Sequence, residues 1–92
     1  MTAYIVVDLT PTDTEKLQAY STKAAETLVE FGGEFIAKGP VTALNGNAPH
    51  PTKVIIAFPS KDKAQNWYQS DAYQDIVPLR DAGMNSQFHL IG

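Results

Sequence analysis

Val54-Ile55-Ile56-Ala57-Phe58, bracketed by Lys53 and by Pro59-Ser60, is rich in β-branched residues and is stopped by a proline. It reads as a strand that feeds a helix, with Ser60 as the N-cap. Alternation puts Ile55 and Ala57 on one face and Val54, Ile56 and Phe58 on the other. A strand that is apolar on both faces must be covered on both. Upstream, Tyr4-Ile5-Val6-Val7-Asp8-Leu9 has the same character and ends at Thr10-Pro11, with Ile5, Val7 and Leu9 opposed to Tyr4, Val6 and Asp8.

The remaining elements fall into place around these two strands. Thr12 stands three residues before Glu15, the spacing of a capping box, and predicts a helix start. Leu17, Tyr20, Ala24, Leu28 and Phe31 then recur at three- and four-residue steps on one helical face, with Lys16, Lys23, Glu26 and Glu30 off that stripe. Gly32-Gly33 ends the helix, since glycine takes the left-handed cap conformation without a Cβ clash. Glu34 to Lys38 predicts a short second strand, extended over Val41 to Leu44 after a bulge at Gly39-Pro40. Asn45 to Pro51 is turn chemistry and predicts an exposed loop. After Ser60, Ala64, Trp67 and Tyr68 mark an apolar helical face. Ser70-Asp71 offers a second cap, Pro78 a further break near Ile76 and Val77, and Gly83 an end. Ser86 to Ile91 is the last strand. The order is βαββαβ over 1–92, one α+β domain of the ferredoxin-like pattern: a four-stranded antiparallel sheet with both helical regions on one face.

One helical layer covers one sheet face, and the chain has no further element for the other. A second copy of the chain is the economical cover, so a homodimer through the sheet face is expected. Burying ~600 Å² of apolar surface per subunit would contribute roughly 15 kcal/mol before association costs, at about 25 cal/mol per Å².

Composition narrows the function classes. The chain has 92 residues, 43% hydrophobic and 18% charged, with a formal net charge of -3. An acidic chain whose lysines form no stripe, and whose only arginine is Arg80, argues against nucleic acid as a partner. The absence of cysteine excludes disulfides, thiolate metal sites and an iron–sulfur electron carrier. The longest apolar run, Val54 to Phe58, is too short to cross a bilayer, so no membrane association is expected. The N-terminal residues lack a basic segment followed by an apolar core, so no signal peptide is read and a cytoplasmic location is expected.

Phe58-Pro59-Ser60, Ala64, Trp67-Tyr68, Ser70, Tyr73 and Leu79-Arg80, together with Tyr4-Ile5-Val6-Val7-Asp8, Tyr20 and Gly32-Gly33 through Lys38-Gly39, resemble the DUF1330 family over nearly the whole chain. The resemblance implies a ferredoxin-like subunit in a dimeric α+β barrel, with two sheets packed face to face. The superfamily it points to includes cofactor-independent monooxygenases, muconolactone isomerases and haem enzymes, and it supplies no reaction by itself. The chain departs from the family pattern in its central loop, where Asn45 precedes Gly46 in place of a common acidic residue and prolines are more frequent.

Three polar residues are candidates for chemistry. His89 lies in the last strand within a residue or two of Tyr4 to Val6. Beside Tyr4 in an inter-subunit barrel it could be a general base or a metal ligand; otherwise it is a satisfied or half-exposed strand histidine. Arg80 could bind a carboxylate or enolate beside aromatics, or it could pair with a carboxylate to hold the helix on the sheet. Asp8, if buried, would be a raised-pKa base; near the strand end it would be partly exposed. His50, between two prolines, reads as a solvated loop residue. Tyr20, Trp67 and Tyr73 read as core and as walls of any cavity between helices and sheet. No Gly-x-Ser-x-Gly elbow, phosphate loop, His-x-x-x-His pair or carboxylate–His cluster occurs, so no cofactor or metal is expected.

The expected function is therefore a homodimer that binds a small apolar or aromatic molecule. If it is an enzyme, proton transfer or cofactor-independent oxygenation fits, with His89, Arg80 and Asp8 as the polar groups. The alternative is a non-enzymatic dimer whose two-sided sheet serves assembly only.

Overall fold

The computed structural model describes residues Met1–Gly92. Four strands, β1 (Ala3–Pro11), β2 (Glu34–Pro40), β3 (Thr52–Phe58) and β4 (Met84–Ile91), form one antiparallel sheet in the order β2-β3-β1-β4. The helices are α1 (Thr14–Leu28, continued by a 3-10 turn over Val29–Phe31), α2 (Lys61–Gln69), α3 (Asp71–Gln74) and α4 (Val77–Gly83). All pack on one side of the sheet, which makes this the ferredoxin-like α+β fold expected from the element order.

The core lies between helices and sheet. Ile5, Val7 and Leu9 of β1 and Val54, Ile56 and Phe58 of β3 face the helices and are buried against Tyr20, Ala24 and Leu28 of α1 and Trp67 of α2. The alternate residues, Tyr4, Val6, Ile55 and Ala57, lie on the other face and are half-exposed, because no element of the chain covers them. Val6 and Ile55 are direct cross-strand partners at the middle of that face, and His89 is paired with Val6 from the opposite side.

Local chemistry explains most of the element ends. The Ser60 hydroxyl accepts from Lys63 N at 3.2 Å and starts α2. Ser70 both ends α2 and starts α3: its hydroxyl donates to Trp67 O at 2.7 Å and accepts from Tyr73 N at 3.2 Å. Pro78 sits in the first turn of α4, where its missing N–H costs nothing. Gly32, with φ 71°, closes the α1 region in the left-handed conformation. Gly83 has a different reason: a Cβ there would lie 2.6 Å from Leu17 N, so α1 and α4 touch through backbone.

Two sequence expectations need correction. The N-cap of α1 is Asp13, whose carboxylate accepts from Lys16 N at 3.2 Å, and Thr12 with Glu15 forms no capping box. Thr12 and Asp13 N–H both donate to Gly83 O, at 2.9 and 3.1 Å, and the Thr12 hydroxyl is turned to Ala82 O at 3.5 Å, which leaves the cap to Asp13. Val41 to Leu44 does not extend β2. The strand ends at Pro40, and only one backbone bond, Val41 N to Pro51 O at 2.9 Å, continues the approach of the two chain segments. The bulge falls earlier, at Ile36: Phe35 pairs with Ile56 and Ala37 with Ile55. That extra residue turns Phe35 and Lys38, three positions apart, to the same face of the sheet.

Candidate functional site

On the helix side, α1 stands away from the β2 edge and leaves a cavity of about 390 Å³. Its floor is Val7, Leu9, Val54 and Ile56, with Met84 and Phe88 at one side. Leu17, Tyr20 and Ala24 of α1 and Trp67 of α2 form its roof, and Phe35 and Lys38 of β2 stand at its exposed rim. The walls are mostly apolar; Ser21, Thr52, Tyr20 and Trp67 are the lining residues that carry uncharged polar groups, and Lys38 is the charged one. A volume in this range is that of a small-molecule pocket, for which about 300–1,000 Å³ is usual.

Behind the roof runs a hydrogen-bonded chain of phenols ending on the guanidinium. Tyr20 and Tyr73 hydroxyls are 2.7 Å apart. Arg80 Nη1 donates to Tyr73 at 3.3 Å and to Tyr68 at 2.9 Å, while its Nε donates to Asp81 at 3.0 Å. The guanidinium also lies 5.0 Å from the centre of the Phe88 ring and 5.9 Å from that of Tyr68. Tyr73 is fully buried against Trp67, ring centres 4.2 Å apart. Trp67 in turn donates its indole N–H to Thr27 Oγ1 at 2.9 Å.

Burial sets the electrostatics of this chain. Desolvation, followed by the neighbouring Tyr73, pushes the Tyr20 phenol far above its ordinary value of 10.0. Tyr73 is also raised, burial outweighing the hydrogen bonds from Tyr20 and Arg80 that pull the other way. For Arg80 burial works against the charge, but the bonds to Tyr68 and Tyr73 more than offset it and hold the pKa above its ordinary value. At neutral pH the wall behind the cavity thus holds neutral phenols backed by a fixed cation.

This has a consequence at alkaline pH. The raised phenols bind more protons in the folded state than in the unfolded chain once pH exceeds the ordinary value of 10.0. Their stabilisation is complete below about pH 10 and is lost as pH rises beyond it. The wild-type protein should therefore unfold cooperatively above pH 10, with tyrosinate absorbance rising in the same step as the loss of circular dichroism. Tyr20→Phe, which removes one of the two phenols, should move that step to higher pH; an unmoved step would show that the pair does not control it.

The structure separates the other candidates. Asp8 lies on the open sheet face and pairs with Lys53 at 3.3 Å, its direct cross-strand neighbour. His89 is exposed on the same face, opposite Val6, and Tyr4 is opposite Ile91. Asp8, Lys53 and Gln87 line a second, more polar hollow with the 41–51 loop, which is held to the sheet by a 2.9 Å bond between His50 Nδ1 and Thr10 Oγ1. Tyr20 and Trp67 line the cavity, whereas Tyr73 and Arg80 stand behind its wall. Asp8, His89 and Tyr4 thus share one face of the sheet, and Arg80 with the three aromatics belongs to the other. No three His, Cys, Asp or Glu side chains lie close enough to hold a metal ion, and no helix is long and apolar enough to cross a membrane. Sequence reasoning missed Lys38, Ser21 and Thr52 as cavity residues and Thr27 as the partner of Trp67. The bulge at Ile36, which decides where Lys38 points, leaves no mark in the apolar–polar alternation.

Comparison with solved structures supports the fold. A protein of unknown function from Rhodopseudomonas palustris has a TM-score of 0.79 at 15% identity, over 98% of this chain and 80% of its own. A dimeric ferredoxin-like protein of unknown function from Jannaschia sp. CCS1 has a TM-score of 0.76 at 14% identity, over 100% and 99%. SnoaB, a cofactor-independent oxygenase from Streptomyces nogalater, has a TM-score of 0.69 at 12% identity, over 99% and 91%. No curated protein matches the sequence. The family described as Domain of unknown function (DUF1330) matches residues 2–92, taking in both the Tyr4–Asp8 strand and the Phe58-Pro59-Ser60 to Leu79-Arg80 run, and the chain belongs to that family.

Proposed function

We propose that this protein is a homodimer that binds a small, largely aromatic molecule in the cavity between helices and sheet of each subunit. The observation that carries this reading is the cavity itself: about 390 Å³, walled by Tyr20, Phe35, Trp67 and Phe88 over an aliphatic floor. Aromatic walls with a few polar groups are what such a ligand needs for orientation. The uncovered face bearing Val6, Ile55 and Ala57 supports the homodimer, as does the dimeric neighbour from Jannaschia.

For a reaction, the oxygenase neighbour supports cofactor-independent oxygenation. In that case Tyr20 orients the substrate and Arg80 acts through Tyr73 as a positioning residue, because Arg80 does not reach the cavity. Asp8, His89 and Tyr4 belong to the face where the second copy packs, and their part is in assembly.

Trp67 is the only tryptophan, so its emission reports directly on the cavity it lines. Titrating N-phenylnaphthylamine, a neutral aromatic probe, should quench Trp67 saturably. Ser21→Phe fills the half-exposed side of the cavity without touching the buried core and should weaken that binding by at least about tenfold, the effect of losing roughly 1.4 kcal/mol. Absence of saturable quenching, or equal binding by Ser21→Phe, would count against the cavity as the site.

A further inference from the structure

Resting on that cavity-binding reading, we propose that the ligand is anionic: an aromatic body carrying one acidic group, a carboxylate or an enolate, held at the rim by Lys38. Lys38 is the one charged side chain lining the cavity. The ion pairs of the chain are Lys53 with Asp8 and Arg80 with Asp81, so Lys38 has no carboxylate partner. It also faces the helix side by construction. In a regular strand, Phe35 and Lys38 would point to opposite faces; the bulge at Ile36 brings both beside the cavity, with Lys38 opposite Val54 and Phe35 opposite Ile56. Bulges re-aim side chains at the edges of sheets, and here β2 is the edge strand. A lysine whose stem crosses an apolar rim keeps its ammonium at the solvent boundary, where it meets the charged end of a ligand whose body is buried.

The net charge of -3 sharpens the point: an acidic protein places an unpaired cation at the mouth of its apolar cavity. A cationic ligand would be repelled by that ammonium. The phenol of Tyr20, kept neutral by burial and bonded to the Tyr73 hydroxyl at 2.7 Å, adds no negative charge to the wall that would repel the anion.

Two probes of one skeleton test this. Anilinonaphthalene sulfonate carries one negative charge, and N-phenylnaphthylamine is its neutral counterpart. The wild-type protein should bind the sulfonate more tightly than the neutral probe. Lys38→Met should weaken the sulfonate roughly tenfold, as expected for losing a charged hydrogen bond, and leave the neutral probe unchanged. Lys61→Met, which removes a lysine at the exposed start of α2, controls for net charge and should change neither. Added salt should weaken sulfonate binding to the wild type and not to Lys38→Met. Equal sulfonate affinity in wild type and Lys38→Met would overturn the proposal while the neutral probe still reports a working cavity. Failure of both probes to compete with each other, or to respond to Ser21→Phe, would instead overturn the cavity reading on which it rests.

Discussion

Placing aspartate at both Val6 and Ile55 should convert the proposed homodimer to a monomer in sedimentation or native mass spectrometry. The two residues face each other across β1 and β3 on the uncovered side of the sheet. Apolar atoms dominate the middle of that side, with Tyr4, Val6, Ile55 and Ala57 half-exposed and Ile91 at 55% exposure. Closing a second copy over this surface would bury two carboxylates per subunit without partners, and each uncompensated buried charge costs several kcal/mol. The helix-side core is untouched, because alternation points both side chains away from it. Far-ultraviolet circular dichroism should therefore keep the native form while the mass halves. A double variant that stays dimeric would place the interface elsewhere on the molecule.

Trp67→Ala should cost about 3–5 kcal/mol of folding stability, the range for removing a large buried aromatic. Trp67 has no exposed surface and lies against Phe58, Tyr68 and Tyr73, at ring separations of 5.5, 6.2 and 4.2 Å. It is the piece that joins α2 to α1, through the 2.9 Å bond to Thr27, and it also roofs the cavity. A loss of this size is a large part of the roughly 5–15 kcal/mol that holds a small domain together. Trp67→Phe separates the contributions. It keeps a ring in the core and removes the indole N–H, while the Thr27 hydroxyl retains its 2.7 Å bond to Ala24 O, so about 1–2 kcal/mol is expected from lost volume and one hydrogen bond. Denaturant titration of the three proteins checks both values. A cost below about 1 kcal/mol for Trp67→Ala would mean that the core can collapse around the missing ring.

The fold was legible because its signals are local. Two strands apolar on both faces, a five-residue helical stripe ending in two glycines, and the caps at Ser60 and Ser70 each act within a few residues, and together they fix the element order. The choice between Thr12 and Asp13 as the cap was not legible, since it depends on the Thr12 hydroxyl turning to Ala82 O, seventy positions away in sequence. The site was legible only in part, for the same reason. Tyr20 and Trp67 announce themselves as large side chains on helical stripes, whereas Lys38 reaches the cavity through a bulge in the pairing of β2 with β3. Arg80 beside aromatics could be anticipated from its neighbours in sequence; that it meets Tyr20 only through Tyr73 is a matter of three-dimensional distance. Asp8 and Arg80 look equally eligible in the sequence, and the sheet places them on opposite sides.

Native mass spectrometry of the protein as purified from cells tests the cavity-in-a-dimer reading most directly. The expected species is a dimer, twice the 10.0 kDa chain, carrying the same small added mass on each subunit, and the share of molecules carrying that mass should fall in Ser21→Phe. A monomer without added mass would contradict it, leaving the apolar face of β1 and β3 without a cover and the cavity without an occupant.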